Sequence, residues 1–328
     1  NVFFINRTIN EDEIAEIVNN TYNNQDGLIV HYTFNQGGGG TVYDYSGNQN
    51  DGIISGNTVW VENIEGCTDS YADNYNPEAN IDDGSCSGYP DNGDYSLSFD
   101  GINNYIDLQN TNIAIQENNP RTIIAWVKTS GNSPPDAMKI ISTGTAEYNK
   151  SYNVLINQNG VINVMGYSTD YSPTAGYDVN DNEWNHIAVT FDGTTLIIYV
   201  NGLLDNESTT FTEGDLTNIV YSTAGQKNYI GKSNHESSTS VEDFYNGLLD
   251  DISIWNTALD AAQIQSNMLT ELTGNEEGLV AHYKFNTGFG STLYDHSGNG
   301  NHGTIHGGAT WVRDYCHNLH TGANLKSF

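Results

Sequence analysis

The chain has 328 residues, and its 41 Asp and Glu against 10 Lys and Arg give a formal net charge of −31 at neutral pH. Such a charge repels nucleic-acid phosphates and anionic lipid head groups, so no nucleic-acid partner is expected. Hydrophobic residues make up 37% of the chain, which is enough for a folded core and excludes a chain that is disordered throughout.

The first residues of the chain have a counterpart far along the sequence. Residues 2–18 match residues 252–268, and both copies contain an Asn or Asp followed three positions later by Glu or Gln. This spacing is the pattern of a helix capping box. We therefore expect a strand followed by a short junction helix at each place. The two capping boxes are Asn10 with Glu13 and Asp260 with Gln263.

The next segment also returns later in the chain. Gly27–Asn35 recurs as Gly278–Asn286, and position 278 follows position 27 by 251 residues. The match continues to Trp60, which corresponds to Trp311. Similarity of this length indicates a repeat with a period of about 250 residues, which suits one large β-sandwich per repeat.

This period predicts how the chain is divided. Residues 1–26 would be the last strand and junction helix of a preceding repeat. Residues 27–268 would be a complete repeat with a Cys-rich insertion at 62–93, and residues 269–328 the start of the next repeat. The expected partners are therefore neighbouring repeats of the same protein or identical subunits. No apolar stretch in the sequence is long enough for direct membrane insertion.

Between Tyr95 and Trp255 the chain alternates short β-branched and aromatic runs with turn dipeptides. Asn-Gly and Asp-Gly accept the positive φ angles that two-residue hairpins need. Many short antiparallel strands in one repeat predict an all-β fold made of two packed sheets. Hairpin turns are predicted at Asn159-Gly160, Asp192-Gly193 and Asn201-Gly202, and strands at 96–99, 105–108, 122–128, 139–142, 154–156, 161–164, 184–191, 196–200 and 229–231.

The three cysteines are informative by position. Cys67 and Cys86 bracket a short polar segment and are well placed to form a disulfide, which indicates an oxidising compartment. Cys316 follows Trp311 much as Cys67 follows Trp60, so we expect it to open a second loop whose partner cysteine lies beyond Phe328. These features predict a secreted protein in the extracellular space or on the cell surface.

Four Asn-x-Ser/Thr sequons are compatible with secretion. In a chain this rich in Asn, Ser and Thr such triplets also arise by chance, and only a eukaryotic host would glycosylate them, so both interpretations stay open. The four candidate glycosylation sites are Asn6, Asn19, Asn149 and Asn206.

The segment between Cys67 and Cys86 is dense in side chains with hard oxygen ligands, which Ca²⁺ prefers. It lacks the spacing and the closing Glu of an EF-hand. One interpretation is a Ca²⁺ loop, and the other is a stack of turns held by the disulfide and by side-chain hydrogen bonds. The candidate ligands are Asp69, Asp73, Asn76, Asp82 and Asp83.

Several motifs together resemble a LamG-like domain of the concanavalin A-like lectin/glucanase superfamily. The resemblance implies a jelly-roll β-sandwich of the kind found in adhesins, lectin modules, pentraxin-like proteins and surface proteins of marine bacteria and protists. It is informative about fold and much less about function, because this superfold hosts binding, adhesive and hydrolytic proteins. The matching segments are 27–56, 96–101, 123–127, 184–190, 199–202, 230–231 and 246–255.

Residues 66–86 resemble a short Cys-rich module that is repeated in marine surface proteins. That module often has a further Cys where this chain has Asp73, so a single cysteine pair remains here. The module interrupts the repeat after its opening strands and is expected to be an exposed excursion from the sandwich.

The LamG-like resemblance also implies a second cation site, because such jelly rolls often hold a cation where an early and a late strand meet. Asp100 on the early strand with Asp250 and Asp251 on the late strand would be its ligands. Asp100-Gly101 is equally an ordinary turn. Calcium is the expected cofactor at either site.

Catalysis is not expected. The glucanase branch of the superfamily uses Glu-x-Asp-x-x-Glu on one strand, which puts its carboxylates on one face as nucleophile and general acid. Glu11, Glu13 and Glu16 come closest, but their segment is predicted to be a capped helix. His31 and His282 lie in equivalent predicted strands without an obvious Ser or Cys partner, and packing explains them better.

The sequence therefore favours a non-catalytic extracellular module, stabilised by calcium and disulfide, that forms part of a cell-surface adhesin or filament. Repetition supports this interpretation, because an array of stiff modules sets reach and geometry without an active site. The alternative is a lectin-like module that recognises surface glycans through exposed aromatic residues. Its candidate residues are Tyr148, Tyr167, Tyr171 and Tyr177.

Overall fold

The computed structural model of the protein describes residues 1–108, 113, 115, 119–129, 137–144, 151–166, 170–208, 227–234 and 244–314. The chain divides into two compact units. The N-terminal unit comprises Asn1–Glu65 and Glu78–Ile81, and the sandwich unit comprises Gly66–Pro77 and Asp82–Phe328. None of the described helices is sufficiently long and apolar to cross a membrane.

The N-terminal unit is built around a pair of antiparallel strands and one short helix. Strand β1 pairs with β2, and β3 pairs with β4. The helix begins after Asn10, whose side chain accepts from the Glu13 N–H while Glu13 accepts from the Asn10 N–H. The elements are β1 (Val2–Ile5), α1 (Glu11–Val18), β2 (Leu28–Tyr32), β3 (Thr41–Val42) and β4 (Gly52–Ile53). Two further short strands follow, β5 (Glu65–Gly66) and β6 (Ile81–Asp82).

The first large sheet of the sandwich unit is antiparallel throughout. Its strands in chain order are β7 (Ser96–Asp100), β9 (Arg121–Thr129), β14 (Asn185–Phe191), β15 (Leu196–Val200), β16 (Leu203–Ser208), β18 (Asn246–Trp255), β19 (Leu279–Tyr283) and β22 (Thr310–Val312). Their spatial order is β16-β15-β14-β9-β18-β7-β22, and β19 pairs with the last part of β18.

The second large sheet packs against the first. Its strands in chain order are β8 (Tyr105–Asp107), β10 (Met138–Gly144), β11 (Ser151–Ile156), β12 (Ile162–Met165), β13 (Asp170–Tyr171), β17 (Tyr229–Ile230), β20 (Thr292–Leu293) and β21 (Gly303–His306). Their spatial order is β13-β12-β11-β10-β17-β8-β21-β20. The fold class predicted from the sequence, an all-β jelly-roll sandwich, is confirmed.

Strand β9 shows how the sequence produces the layers. Ile123, Ala125 and Val127 point into the core between the two sheets, because successive strand residues face opposite sides. The intervening Ile124 and Trp126 face the outside of the sheet, where helix α2 (Ala261–Leu269) covers them. Both faces of β9 are thus buried, and its residues form a nearly continuous apolar run.

The predicted local signals are confirmed where the structure describes them. Asn159-Gly160 joins β11 to β12, Asp192-Gly193 joins β14 to β15, and Asn201-Gly202 joins β15 to β16. Helix α2 begins after Asp260, whose side chain accepts from the Gln263 N–H. Observed strand ends differ from the predicted ones by a few residues, as expected for elements bounded by turns.

The sandwich does not end where the sequence period places a boundary. The division after Met268 predicts that residues 269–328 open a separate repeat, but β19, β21 and β22 pair with strands from 96–255, and β20 pairs with β21. The strands β7 and β8 would each have an open edge without β22 and β21. Sequence repeat and folding unit are therefore out of phase within the described part of the chain.

Candidate functional site

The feature with the clearest functional meaning is the docking of residues 278–312, called here the completing segment. It contributes strands to both sheets, with β19 beside β18, β22 beside β7 and β21 beside β8. Gly278, which leads into β19, has φ +85° and lies against Thr257 and Asn256, so an added side chain there would be strained and crowded. The completing segment is thus built into the sandwich.

The completing segment also supplies part of the hydrophobic core. Tyr283, Phe285 and Leu293 are essentially inaccessible to solvent and belong to the main core cluster with residues of both sheets. Burial of such side chains contributes roughly 1.5–3 kcal/mol each relative to exposure. The sandwich of 96–255 therefore depends on this segment for stability as well as for edge pairing.

A turn organised by Asp295 holds the completing segment together. One carboxylate oxygen of Asp295 accepts from the N–H groups of His282 and Ser297, both at 2.9 Å. The other accepts from the Asn301 N–H at 2.9 Å. Asp295 is fully buried, so each of these N–H groups depends on it for a partner.

The Cys-rich module packs directly on this turn. Cys67 and Cys86 form the predicted disulfide and, with Tyr89, make a small buried cluster. Tyr71 contacts Tyr294 edge to face at 5.6 Å between ring centroids. The expectation of an exposed excursion is therefore incorrect for this face of the module. Its side chains pack against aromatic and histidine side chains of the turn.

His302 makes the polar contact at the centre of this packing. Its Nε2 lies 2.6 Å from Asp69 Oδ2, and its Nδ1 accepts the Asp295 N–H at 2.8 Å. Since Nδ1 accepts, the neutral ring carries its proton on Nε2 and donates it to Asp69. Tyr89 donates its hydroxyl to the same Asp69 oxygen at 2.9 Å. One carboxylate of the module is thus shared by two donors.

Burial and hydrogen bonding shift the titration of groups at this contact. Burial alone would raise the pKa of Asp69, but donors that include the Tyr71 N–H and His302 hold it below its usual range. Burial, followed by the neighbouring Asp69, raises the pKa of Tyr89 well above its usual range. Burial also lowers the pKa of His296, which contacts Tyr89 edge to face, to about 3. The contact is therefore formed with Asp69 ionised and His296 neutral.

The structure separates the predicted ligands of the loop site. Asp69 is engaged with His302 and Tyr89, while Asp83 accepts from the Ser85 N–H at 2.9 Å. Asp82 accepts from the Gly84 N–H at 3.4 Å, and the exposed Asp73 lies against the left-handed Gly88. Asn76 donates its N–H to the Cys67 carbonyl at 2.9 Å. These bonds are compatible with the disulfide-held turn stack.

The second predicted cation site is likewise occupied by protein hydrogen bonds. Asp100 accepts from the N–H groups of Ile102 and Asn103, which is an ordinary turn. Asp250 accepts from the Asp251 N–H at 2.9 Å. Asp251 lies 2.8 Å from Nε2 of the buried His282, so it faces the completing segment.

No group of three or more His, Cys, Asp or Glu side chains in the described ranges is arranged to hold a metal ion. Donors of the protein already use several oxygens of the carboxylates predicted to bind calcium. Calcium binding stays a prediction.

The predicted glycosylation and glycan sites fall in different surroundings. Asn6 and Asn19 are exposed, whereas Asn206 is half-buried and donates to the Ala175 carbonyl at 3.1 Å. Tyr171 and Tyr177 are half-buried and pack against the core cluster. The remaining predicted positions, Asn149, Tyr148, Tyr167 and Cys316, lie outside the described residues.

An aromatic group on the second sheet has no counterpart among the predicted site residues. Tyr105 on β8 stacks on His306 with ring centroids 4.9 Å apart and meets Tyr229 edge to face at 5.5 Å. Nζ of Lys232 lies 4.4 Å from the centre of the Tyr105 ring. Phe244 completes this group, called here the Tyr105 cluster. Its members come from four separate parts of the chain, so no local motif reveals it.

The acidic trio nearest to a glucanase motif, Glu11, Glu13 and Glu16, lies on helix α1. Glu13 is the capping residue of that helix and pairs with Arg7, whose hydrogen bond lowers the pKa of Glu13 to about 2. A general acid would need its pKa raised instead. Glu13 thus has a structural role, and the trio does not form the strand arrangement that glycoside hydrolysis uses.

Comparisons with known proteins agree with this fold. A profile for Laminin_G_3, described as the concanavalin A-like lectin/glucanases superfamily, matches residues 100–265. A search of curated proteins finds no match.

Solved structures provide further similarities. A putative carbohydrate binding protein from Bacteroides ovatus is 22% identical, with a TM-score of 0.48, over 67% of this chain and 59% of its own length. A native heptameric SAP-like pentraxin from Limulus polyphemus is 16% identical, with a TM-score of 0.39, over 53% of this chain and 81% of its own. Domain 4 of AbnA, an extracellular GH43 arabinanase from Geobacillus stearothermophilus, is 18% identical, with a TM-score of 0.38, over 52% of this chain and 74% of its own. This chain therefore spans less than two thirds of the Bacteroides protein.

Proposed function

The chain belongs to the concanavalin A-like lectin/glucanases superfamily, and we propose that it serves as a non-catalytic structural and adhesive module outside the cell. Its repeats would follow one another in a cell-surface adhesin or an extracellular filament. The partners would be neighbouring repeats of the same protein or identical subunits.

The observation that carries this proposal is the completing segment. Its sequence repeats residues 27–61, yet it forms strands of the sandwich that precedes it in the chain. Modules joined in this way share a core with the start of the next repeat, so they resist bending and separation more than modules joined by a flexible linker. Stiff spacing of this kind is what an adhesin stalk or a filament requires.

Two features support an extracellular location. The Cys67–Cys86 disulfide suits an oxidising compartment, since thiols are kept reduced in most cytosols. The net charge of −31 keeps modules apart and soluble at the high local concentration of an array. Calcium would stabilise the acidic loops in this setting, and it remains part of the proposal.

Surface labelling tests the location directly. Antibodies raised against the purified chain are expected to label intact cells of the source organism, and protease added outside is expected to remove the label. Labelling that requires permeabilised cells would overturn the proposed extracellular role. A cytoplasmic protein of the same cells, detected with its own antibody as a control, should stay protected from the protease.

Glycan recognition is the second candidate, and the Tyr105 cluster is the observation that favours it. Its side chains are half-buried on one sheet, and the accessible parts of aromatic rings pack on the apolar faces of sugar rings. Lys232 beside them adds a donor for sugar hydroxyls. The surface is therefore better suited to a glycan than the core-packed Tyr171 and Tyr177.

A glycan array of the chain against Tyr105→Ala separates the two candidates. Binding that falls at least tenfold in the variant supports recognition by the Tyr105 cluster. Tyr171→Ala serves as the matched control and should not reduce binding. An array without signal above background rejects the glycan candidate and leaves the structural role.

A further inference from the structure

The N-terminal unit has the same local architecture as the completing segment together with the strand before it. In β1–β2, Val2 pairs with Tyr32 and Phe4 with Val30. In β18–β19, the equivalent Ile252 pairs with Tyr283 and Ile254 with Ala281. Both ladders shift register at the same position, just before the last pair. The pairing is thus a property of the repeated sequence.

The turn that follows β2 also repeats its hydrogen bonds. Asp44 accepts from the His31 N–H at 2.9 Å and the Asn50 N–H at 3.0 Å, as Asp295 does from His282 and Asn301. The Trp60 indole donates to a glycine carbonyl at 3.0 Å, and its counterpart in the completing segment does the same at 3.1 Å. The N-terminal unit is therefore folded as a completing segment.

What differs between the two copies is burial. Phe4 is 55% exposed and Phe34 47% exposed, whereas their equivalents Ile254 and Phe285 are each 1% exposed. Both of those equivalents belong to the main core cluster of the sandwich. The N-terminal unit thus shows to solvent the residues that a sandwich core covers in the second copy.

Helix α1 shows the same difference on the other face. Ile14 is 48% exposed and Val18 73% exposed, while the matching Ile264 and Met268 of α2 are 0% and 5% exposed. In α2 these side chains pack on the outer face of the first sheet. Helix α1 has its cap and its apolar stripe, and none of its residues is buried.

A groove of about 750 Å³ in the N-terminal unit is lined in part by Phe34, Val42 and Trp60. The equivalents of Phe34 and Val42 are in the core cluster of the sandwich unit, and Trp311 packs against that cluster. The sandwich unit therefore shows what buries this kind of apolar surface: in the second copy, the equivalent residues pack in or against the sandwich core.

We infer that residues 1–61 complete a second sandwich, by binding a core homologous to residues 66–250 that precedes them in a longer array. The inference rests on the proposed array function and names the contact by which successive repeats are joined. The sandwich of this chain is not that partner, because its β18, β7 and β8 already pair with β19, β22 and β21. A homologous core would offer the same strand edges as β18, β7 and β8. It would also offer the outer sheet face on which a helix such as α1 packs.

The test compares the 328-residue chain with a longer chain in which a second copy of residues 66–250 directly precedes Asn1. Amide hydrogen exchange is measured in α1 and β2, with α2 and β19 of the same molecule as internal references. In the 328-residue chain we expect α1 and β2 to exchange about 100-fold faster than the references or more. In the longer chain the two sets are expected to agree within about tenfold.

Every result of this comparison decides the question. Unchanged rapid exchange in α1 and β2 beside a folded added core overturns the inference. An added core that remains unfolded also overturns it, since the same residues fold when the completing segment is present. Neither result would affect surface labelling, so failure of the inference is distinct from failure of the proposed function.

Matched variants assign the contact to the proposed surface. In the longer chain, Phe34→Asp should restore rapid exchange in α1 and β2 without changing α2 and β19. Phe285→Asp should instead make exchange rapid in α2 and β19 and leave it unchanged in α1 and β2. Ile53→Thr is the control, because Ile53 is largely exposed and Thr304 occupies the equivalent position in the completing segment. It should leave both sets unchanged.

Discussion

Asp295 and Asp44 are the same residue of the repeat, and each organises its turn by accepting several backbone N–H groups. Asp295 lies in the interior of the sandwich unit, whereas Asp44 serves the N-terminal unit only. The recurrence of this aspartate in the sequence is thus explained by turn formation.

Replacing Asp295 by Ala should destabilise the sandwich unit by about 3 kcal/mol or more, because buried N–H groups lose their acceptor. Urea unfolding monitored by amide exchange in β9 measures the change. Asp44→Ala removes the same hydrogen bonds from the other copy and should leave exchange in β9 unaltered. Equal effects of the two substitutions would contradict this assignment.

His302 is a position at which the two copies differ in chemistry, since Asp51 occupies its place in the first copy. His302→Asp would put a second carboxylate against Asp69. It would also remove the ring N–H from which Asp69 accepts a hydrogen bond. We expect a loss of about 1–3 kcal/mol in the stability of the sandwich unit. Asp69→Asn added to this variant should recover part of the loss, and a double variant less stable than the single one would contradict the contact.

His296 should give the sandwich unit a stability that depends on pH. Burial lowers its folded-state pKa to about 3 from 6.5, so the unfolded chain binds the extra proton first as pH falls. The stabilisation is complete above pH 6.5 and is lost progressively between pH 6.5 and 3, on the order of 5 kcal/mol. His296→Tyr introduces the residue of the first copy. In this variant the slope of stability against pH between pH 6.5 and 3 should correspond to one fewer proton taken up on unfolding. Urea midpoints at about pH 7 and about pH 4 measure this.

At the scale of elements, helices α1 and α2 both begin with a capping box, but only α2 has buried side chains. Ile264→Ala should cost about 2–4 kcal/mol, because it leaves a cavity between α2 and the first sheet. Ile14→Ala removes the same atoms from α1, where the side chain is already half exposed, and should cost about 0.5 kcal/mol or less. Thermal unfolding of both variants beside the parent chain checks the difference.

Elements that depend on local sequence were predictable, and those that depend on distant contacts were not. The capping boxes at Asn10 and Asp260 and the hairpin at Asn159-Gly160 need only neighbouring residues. The contact of His302 with Asp69 joins residues 233 positions apart, and no local pattern specifies it. The repeat period likewise gives the length of a unit but leaves open which core each edge strand completes.

The candidate site shows the same limit. The acidic residues between Cys67 and Cys86 suggest ligands as well as turns, because both uses require carboxylates at short spacing. The hydrogen-bond partners of these residues are not specified by the loop sequence. Asp69 turns toward His302 and Tyr89, and Asp83 toward the backbone of Ser85, which the composition of the loop alone does not reveal.

At the scale of the whole molecule, the charge of −31 predicts how the chain responds to ions. If calcium binds the folded state selectively, the melting temperature of the protein should increase in millimolar Ca²⁺ and decrease again with EDTA. Sodium chloride at equal ionic strength is the control, because screening alone weakens self-repulsion without a specific site. Equal shifts in calcium and sodium would reject a calcium site and leave the acidity as surface charge.

The position of the completing segment also affects how the protein is made. Strand β18 ends at Trp255, but β22, which covers β7, ends at Val312. At a synthesis rate of about 5–20 residues per second, the ribosome needs roughly 3–11 s to supply those last strands. During that interval a nascent sandwich has unpaired edges and an open core, so the sandwich of 96–255 cannot close until residues 278–312 have been synthesised. Translation speed across this stretch, and chaperones that shield open β-edges, would then determine the yield of folded protein.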